Sequence, residues 1–128
     1  MSERNDEARA RRRAYRWGLY AELMAAAWLR LKGYRILARR FRSPVGEIDL
    51  IARRGAHFAF VEVKARPAAG EVLTARQRRR IRRAAEAWLA GASAYGHLPD
   101  SFSASFDLVV VRPWRFPQHV PRAFGDGL

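Results

Sequence analysis

Two stretches of strict alternation lie back to back near the middle of the chain, Ile48 to Arg54 and His57 to Lys64, with Gly55-Ala56 between them. Alternation of period two marks half-buried strands, and a two-residue connection containing Gly marks a hairpin turn. In that register Ile51 faces Phe60, Arg53 faces Phe58, Asp49 faces Glu62 and Glu47 faces Lys64. On the other side of the ribbon Ile48 meets Val63, Leu50 meets Val61 and Ala52 meets Ala59. One face is then wholly apolar while the other gathers the charges. A slip of one residue would mix the two.

The remaining elements follow from their own periods. From about Arg9 to Lys32 the positions Tyr15, Leu19, Leu23, Ala26, Ala27 and Leu31 recur at helical spacing, and Gly33 stops the helix. Residues 1–8 are expected to fray. Tyr34 to Arg42 reads as a strand ended by Ser43-Pro44, and residues 66–70 read as a loop. Thr74 caps a second helix that runs to about Ala90 with the stripe Ile81, Ala84, Ala85 and Trp88. Residues 91–103 read as loop, Ala104 to Val111 as a buried fourth strand, and 112–128 as an irregular tail anchored by Trp114, Phe116 and Phe124. No repeat or linker divides the 128 residues, so one domain is expected. The order helix, three strands, helix, strand predicts an α/β sandwich with a mixed sheet flanked by helices.

The charges in the hairpin change this picture from architecture to chemistry. Directly opposed carboxylates stand roughly 5 Å apart at Cβ and repel each other. A divalent cation converts that repulsion into binding, and two carboxylates with waters and a substrate phosphate suit Mg²⁺ or Mn²⁺. The alternative is a solvated ladder in which Glu47 pairs with Lys64 while Asp49 and Glu62 face water. Of the 25 basic residues only Lys32 and Lys64 are lysines. Keeping a lysine beside the carboxylates points to a task for a compact amine rather than a planar guanidinium.

Net charge is +13, from 25 basic and 12 acidic residues. Such an excess points to a polyanionic partner, nucleic acid ahead of an anionic membrane surface. The arginines cluster, with Arg9, Arg11, Arg12, Arg13 and Arg16 on the first helix and Arg76, Arg78, Arg79, Arg80, Arg82 and Arg83 on the second. The absence of cysteine excludes disulfides and thiolate metal sites. No apolar run reaches the roughly 18 residues of a membrane span, and no signal-type segment opens the chain. A cytoplasmic protein is expected.

The segments Gly46-Glu47-Ile48-Asp49-Leu50-Ile51-Ala52 and Phe60-Val61-Glu62-Val63-Lys64-Ala65-Arg66 resemble those of the YraN family of small bacterial proteins. The likeness runs from about Gly18 to Val111. It takes in Glu22 ahead of Leu29 and Gly33-Tyr34, then Ser105-Phe106-Asp107, with an ending like His119 … Ala123-Phe124. The family is placed among restriction-endonuclease-like, PD-(D/E)xK, proteins similar to archaeal Holliday junction resolvases. The resemblance implies an α-β-β-β-α-β sandwich with Asp49 and Glu62 as metal-binding carboxylates and Lys64 as catalytic lysine. It also implies a glutamate from the first helix, here Glu22, which lies one turn from Leu19 and Ala26. Glu47 belongs to the signature, with pairing to Lys64 or Arg66 as its expected role. Where the family often carries lysine early in the second helix, this chain has Gln77, expected near the inner face.

Two readings of function stand against each other at this point. In one, Asp49, Glu62 and the Val63 carbonyl hold Mg²⁺, aided by Glu22, and Lys64 stabilises charge on a phosphodiester, the resemblance to resolvases implying branched DNA as a substrate. Arg12, Arg13, Arg16, Arg66, Gln77, Arg78, Arg79, Arg82 and Arg83 then hold the phosphate backbone, DNA ahead of RNA. Symmetric cutting of a junction would call for a homodimer. In the other, the same fold binds nucleic acid without cleaving it. A third class, a scaffold using its basic helices and aromatic tail, also remains. His57, His97 and His119 have no metal-ligand spacing and receive no role.

Overall fold

In the structure, a computed structural model describing residues 2–65 and 73–125, the chain forms two helices and five strands. In order these are α1 (Glu3–Leu31), β1 (Arg35–Ser43), β2 (Gly46–Arg54), β3 (His57–Ala65), α2 (Ala75–Ala94), β4 (Ser103–Val111) and β5 (Gln118–Val120). The strands form one mixed sheet in the order β1-β2-β3-β4-β5. Its first three strands are antiparallel, β4 runs parallel to β3, and β5 returns antiparallel along β4. A parallel pair requires a crossover, and α2 supplies it.

The helices cover opposite faces. Ala21, Ala25, Ala26 and Leu29 of α1 pack on Leu50, Ala52, Ala59, Val61, Val109 and Val111. Ile81, Ala84 and Ala85 of α2 pack on Ile51, Phe58, Phe60 and Phe106. Neighbouring residues of each strand thus feed two separate cores, and the fold is an α/β/α sandwich.

Several expectations are corrected here. The first helix starts at Glu3, so residues 3–8 are helical. Glu3 and Asp6 in its first turn complement the positive end of the helix dipole, and arginine is a good helix former that needs no buried face. The buried stripe of α1 is also rotated from the expected one. Tyr15, Leu23, Ala27 and Leu31 are exposed while Ala21, Ala25 and Ala26 are fully buried, because small side chains let the helix lie close to the sheet. The α2 helix runs through Gly91 to Ala94, and the tail contributes β5. At the end of α1, Gly33 adopts φ +93 and the Tyr34 N–H bonds to the Leu29 carbonyl at 3.0 Å, closing the helix as expected of a glycine stop.

The hairpin pairs as expected from Arg54–His57 through Leu50–Val61. Its faces differ from expectation. The face expected to collect charge is, near the turn, an apolar core of Ile51, Phe58 and Phe60 against α2, and Ile48 joins that core too. Ile48 and Ile51 are three residues apart, so the alternation slips between them, around Asp49. On the neighbouring strand the pairing is unbroken from Arg39–Leu50 to Phe41–Ile48, and Arg40 between them has a left-handed backbone at φ 54, a conformation non-glycine residues rarely adopt.

Candidate active site

Beyond the Leu50–Val61 pair the regular ladder between β2 and β3 ends. In its place the Val63 N–H donates to Asp49 Oδ2 at 2.8 Å. The carboxylate of one strand thereby takes the position a backbone carbonyl would hold, and it is fixed at the point where the strands part. Glu62, the residue before Val63, reaches the same point and shares a hydrogen bond with Asp49.

Two half-buried carboxylates in hydrogen-bond contact cannot both carry full charge at low cost. Burial, then the Asp49 charge, push Glu62 up to about 8, with the Lys64 ammonium opposing part of that rise. Burial also raises Asp49, against the Val63 N–H and Glu62 hydrogen bonds, which lower it. The pair therefore holds a proton in common near neutrality. Of the expected site residues, Asp49 and Glu62 come together here, with the Lys64 charge near enough to act on Glu62.

Glu22 comes to the neighbourhood from α1, at the edge of its buried alanine stripe. It lines a cleft of about 210 Å³ with Tyr15, Arg40, Arg42, Glu47, Ile48 and Asp49. Its charge contributes to the rise at Asp49. Its own partner is Arg40, whose Nε donates to Glu22 Oε2 at 2.8 Å, with the Glu22 side chain 19% exposed. Among the described residues no three acidic or histidine side chains form a ready-made cation cage. The constellation is therefore a carboxylate pair with Glu22 held beside it by an arginine. Arg40 was absent from the expected site residues. Nothing in the sequence near Arg40 marks its left-handed conformation or its link to a residue eighteen positions earlier.

Glu47 is 64% exposed at its side chain and lies 3.8 Å from Arg42, and Arg66, one of its two expected partners, lies outside the described residues. One expected role changes. Gln77 is exposed rather than near the inner face, and it completes a capping box. Its Oε1 accepts the Thr74 N–H at 2.8 Å while its own N–H donates to Thr74 Oγ1 at 3.1 Å. The Thr-x-x-Gln spacing was the available signal. Gln77 is thus a helix-cap residue, and nothing in its contacts aims it at a phosphate.

The arginines divide into groups. Arg76, Arg79, Arg80 and Arg83, spaced along one face of α2, line a groove of about 510 Å³ with Pro44 and Val45. Arg79 and Arg83 were expected there; Arg78 instead donates to the Leu73 carbonyl at 3.2 Å, and Arg82 lies outside the groove lining. Gly46 is pressed on α2 beside this groove. A Cβ at Gly46 would lie 2.0 Å from the Arg80 carbonyl oxygen, so only glycine permits this approach. On α1, Arg12, Arg13 and Arg16 are exposed, and Arg13 lines a separate groove with Trp17 and Ala65. Arg66 lies outside the described residues.

Histidines His57 and His119, expected to have no role, belong to a buried polar network centred on Asp107. Asp107 Oδ1 accepts from Ser105 Oγ at 2.6 Å and from the Arg122 N–H at 3.1 Å, and Oδ2 accepts from His119 Nε2 at 2.7 Å. His57 Nε2 meets Ser105 Oγ at 2.8 Å and its Nδ1 meets Ser103 Oγ at 2.7 Å. The network binds β5 and the chain after it onto β4. Asp107 and Ser105 are 0% and 3% exposed, closed to any substrate.

Comparison with known proteins places these residues in a family. The profile of the uncharacterised protein family UPF0102 matches residues 21–111. That span holds Glu22, Asp49, Glu62, Lys64 and the arginines of α2. A UPF0102 protein of Mesorhizobium japonicum is 52% identical over 127 residues, covering 97% of each chain. One from a Chelativorans species is 53% identical over 122 residues, 92% of this chain and 95% of its own. One from Maricaulis maris is 49% identical over 122 residues, 93% of each chain. The chain belongs to the UPF0102 family, the YraN family of the sequence resemblance.

Proposed function

We propose that this protein is a metal-dependent nuclease that hydrolyses phosphodiester bonds, acting in the cytoplasm on DNA in preference to RNA. The observation that supports the reading best is the Asp49–Glu62 pair, fixed at the parting of β2 and β3 with Lys64 beside it. The order α-β-β-β-α-β around it is that of the restriction-endonuclease-like sandwich.

The donor set suits a hard divalent cation. Two carboxylates pressed together keep a proton only because nothing else neutralises them, and Mg²⁺ or Mn²⁺ would replace it. Asp49, Glu62 and the Val63 carbonyl would hold the ion, and waters and substrate would complete its shell, since Glu22 is bound to Arg40. Such an ion lowers the pKa of a coordinated water and neutralises charge on the phosphoryl group.

The chain's own residues do the rest. The Val63 N–H keeps Asp49 aimed at the site without spending its second oxygen. Lys64 places a compact positive charge next to Glu62, where it stabilises negative charge developing on the phosphate. Arg76, Arg79, Arg80 and Arg83 line one groove, where their charges would hold a phosphate backbone in position without reading sequence.

Glu22 held by Arg40 and Gln77 held in the cap favour a second reading, a nucleic-acid-binding module with weak or lost chemistry. The deciding experiment offers branched, single-stranded and duplex DNA with Mg²⁺ or Mn²⁺ to wild type and Asp49→Ala. Cleavage that disappears in the variant supports the nuclease. Binding with no cleavage of any substrate by the wild type supports the module.

A further inference from the structure

The carboxylate pair and the α2 groove leave one large surface without a task, the aromatic face between α1 and the segment after β4. A groove of about 700 Å³ runs there, walled by Trp17, Tyr20 and Met24 of α1 and by residues 111–116. Phe116 is 83% exposed, Tyr20 is 50% exposed, and Trp114 is fully exposed. The rings are ordered as stacks. Trp17 and Tyr20 have centroids 5.4 Å apart, and Trp28 and Phe116 have centroids 5.6 Å apart, each pair within 27° of parallel. Trp114 holds a left-handed backbone at φ 63, a conformation bulky residues avoid. The disfavoured backbone brings this indole no burial.

Exposed apolar surface on this scale marks a binding face, and its rim selects the occupant. Arg112 and Arg115 line the groove and are exposed. A second copy docked here would bring those arginines together on a chain of net charge +13, so self-pairing is opposed. A polyanion that carries its own flat rings has the complementary properties. Unpaired bases stack on exposed aromatics while arginines meet the phosphates between them. Trp17 also lines a second groove, of about 440 Å³, with Arg13 and Ala65, the last residue of β3.

We propose that this face, between α1 and the segment after β4, is a stacking platform for single-stranded nucleic acid. It deepens the nuclease reading, on which it rests for the link to cleavage, by assigning a substrate with unpaired bases.

The test measures binding in EDTA, so that cleavage plays no part. Fluorescence anisotropy follows a labelled oligo(dT) strand and a duplex of equal length on wild type, Trp114→Ala, Trp114→Phe and Phe116→Ala. Trp114→Ala should weaken the single strand about tenfold, as loss of a stacked base does, and leave the duplex within about twofold. Trp114→Phe should restore most of the loss, and Phe116→Ala should repeat it in part. Single-strand affinity unchanged in both alanine variants, or an equal loss for strand and duplex, would overturn the platform. So would a wild-type dimer that Trp114→Ala dissociates in sedimentation, which would give the face to a second copy. Absence of cleavage in the Mn²⁺ assay would remove the nuclease reading while leaving these binding differences in place.

Discussion

Asp107 on β4 and Glu62 on β3 stand on neighbouring strands, with Glu62 paired to Leu108, yet their surroundings treat charge in opposite ways. Burial pushes Asp107 upward, but the hydrogen bonds from His119, Ser105 and the Arg122 N–H outweigh it and hold the carboxyl below its usual range. At Glu62 burial acts in the same direction, and the nearest strong partner is another carboxylate, so the shift is upward. One site is satisfied by hydrogen bonds from the protein alone. The other leaves two carboxylates against each other, which is why it is the site proposed above for a cation. A buried acid with every acceptor used is a fastening; a buried acid left in repulsion is a place for a ligand.

The widest separation between the two should appear in stability. Asp107→Ala strands His119, Ser105 and the Arg122 N–H around an empty site, and should cost about 3 kcal/mol or more in urea unfolding. Glu62→Gln removes a repulsion, and at pH 8 without metal should leave stability unchanged or raise it by about 1 kcal/mol. Equal destabilisation by both substitutions would erase the contrast.

The pH dependence separates them again. Glu62 titrates near 4.5 when unfolded and near 8 when folded, so between those values the native state binds the extra proton. Metal-free stability should therefore fall as pH rises through that window, by at most about 1.4 kcal/mol per pH unit from this group. Asp107 acts in the opposite sense, its contribution being present above its unfolded pKa of 3.8 and lost as pH falls through its depressed folded value. Denaturation profiles at several pH values check both, and Glu62→Gln should flatten only the higher branch.

Lys64→Arg should abolish turnover while Mn²⁺ and DNA binding stay within a few-fold of wild type. Arginine keeps the charge but spreads it over a planar fork that cannot take the place of a compact ammonium. Paired measurements of Mn²⁺ affinity and cleavage decide it, and full turnover in the variant would leave Lys64 only a charge. The smallest effect belongs to Gln77. Gln77→Ala should cost about 0.5–1 kcal/mol through the lost cap and leave nucleic-acid affinity unchanged, which a salt-series titration checks.

What could be read in the sequence was what has a local period. The β2–β3 register followed from alternation on either side of Gly55, and the α2 cap and stripe followed from Thr74 and Ile81. Asp49 and Glu62 meet where that register ends, with Asp49 held by the Val63 N–H rather than in a ladder pair. On α1 Ala26 was read correctly, but the stripe was rotated, because closeness to the sheet favours Ala21 and Ala25 over the larger Tyr15, Leu23 and Leu31. Arg40 with Glu22, and His119 with Asp107, join residues far apart in the chain. Neither pairing leaves a periodic mark.

The central claim is that Asp49 and Glu62 share a proton which a cation displaces. It is tested most directly by titrating the wild type with Mn²⁺ at pH 7 in two buffers of different ionisation enthalpy, using calorimetry. The difference in heat should correspond to about one proton released per ion bound, and Asp49→Asn should abolish both the binding and the release. Binding of Mn²⁺ with no proton released, or no binding at all, would contradict the account.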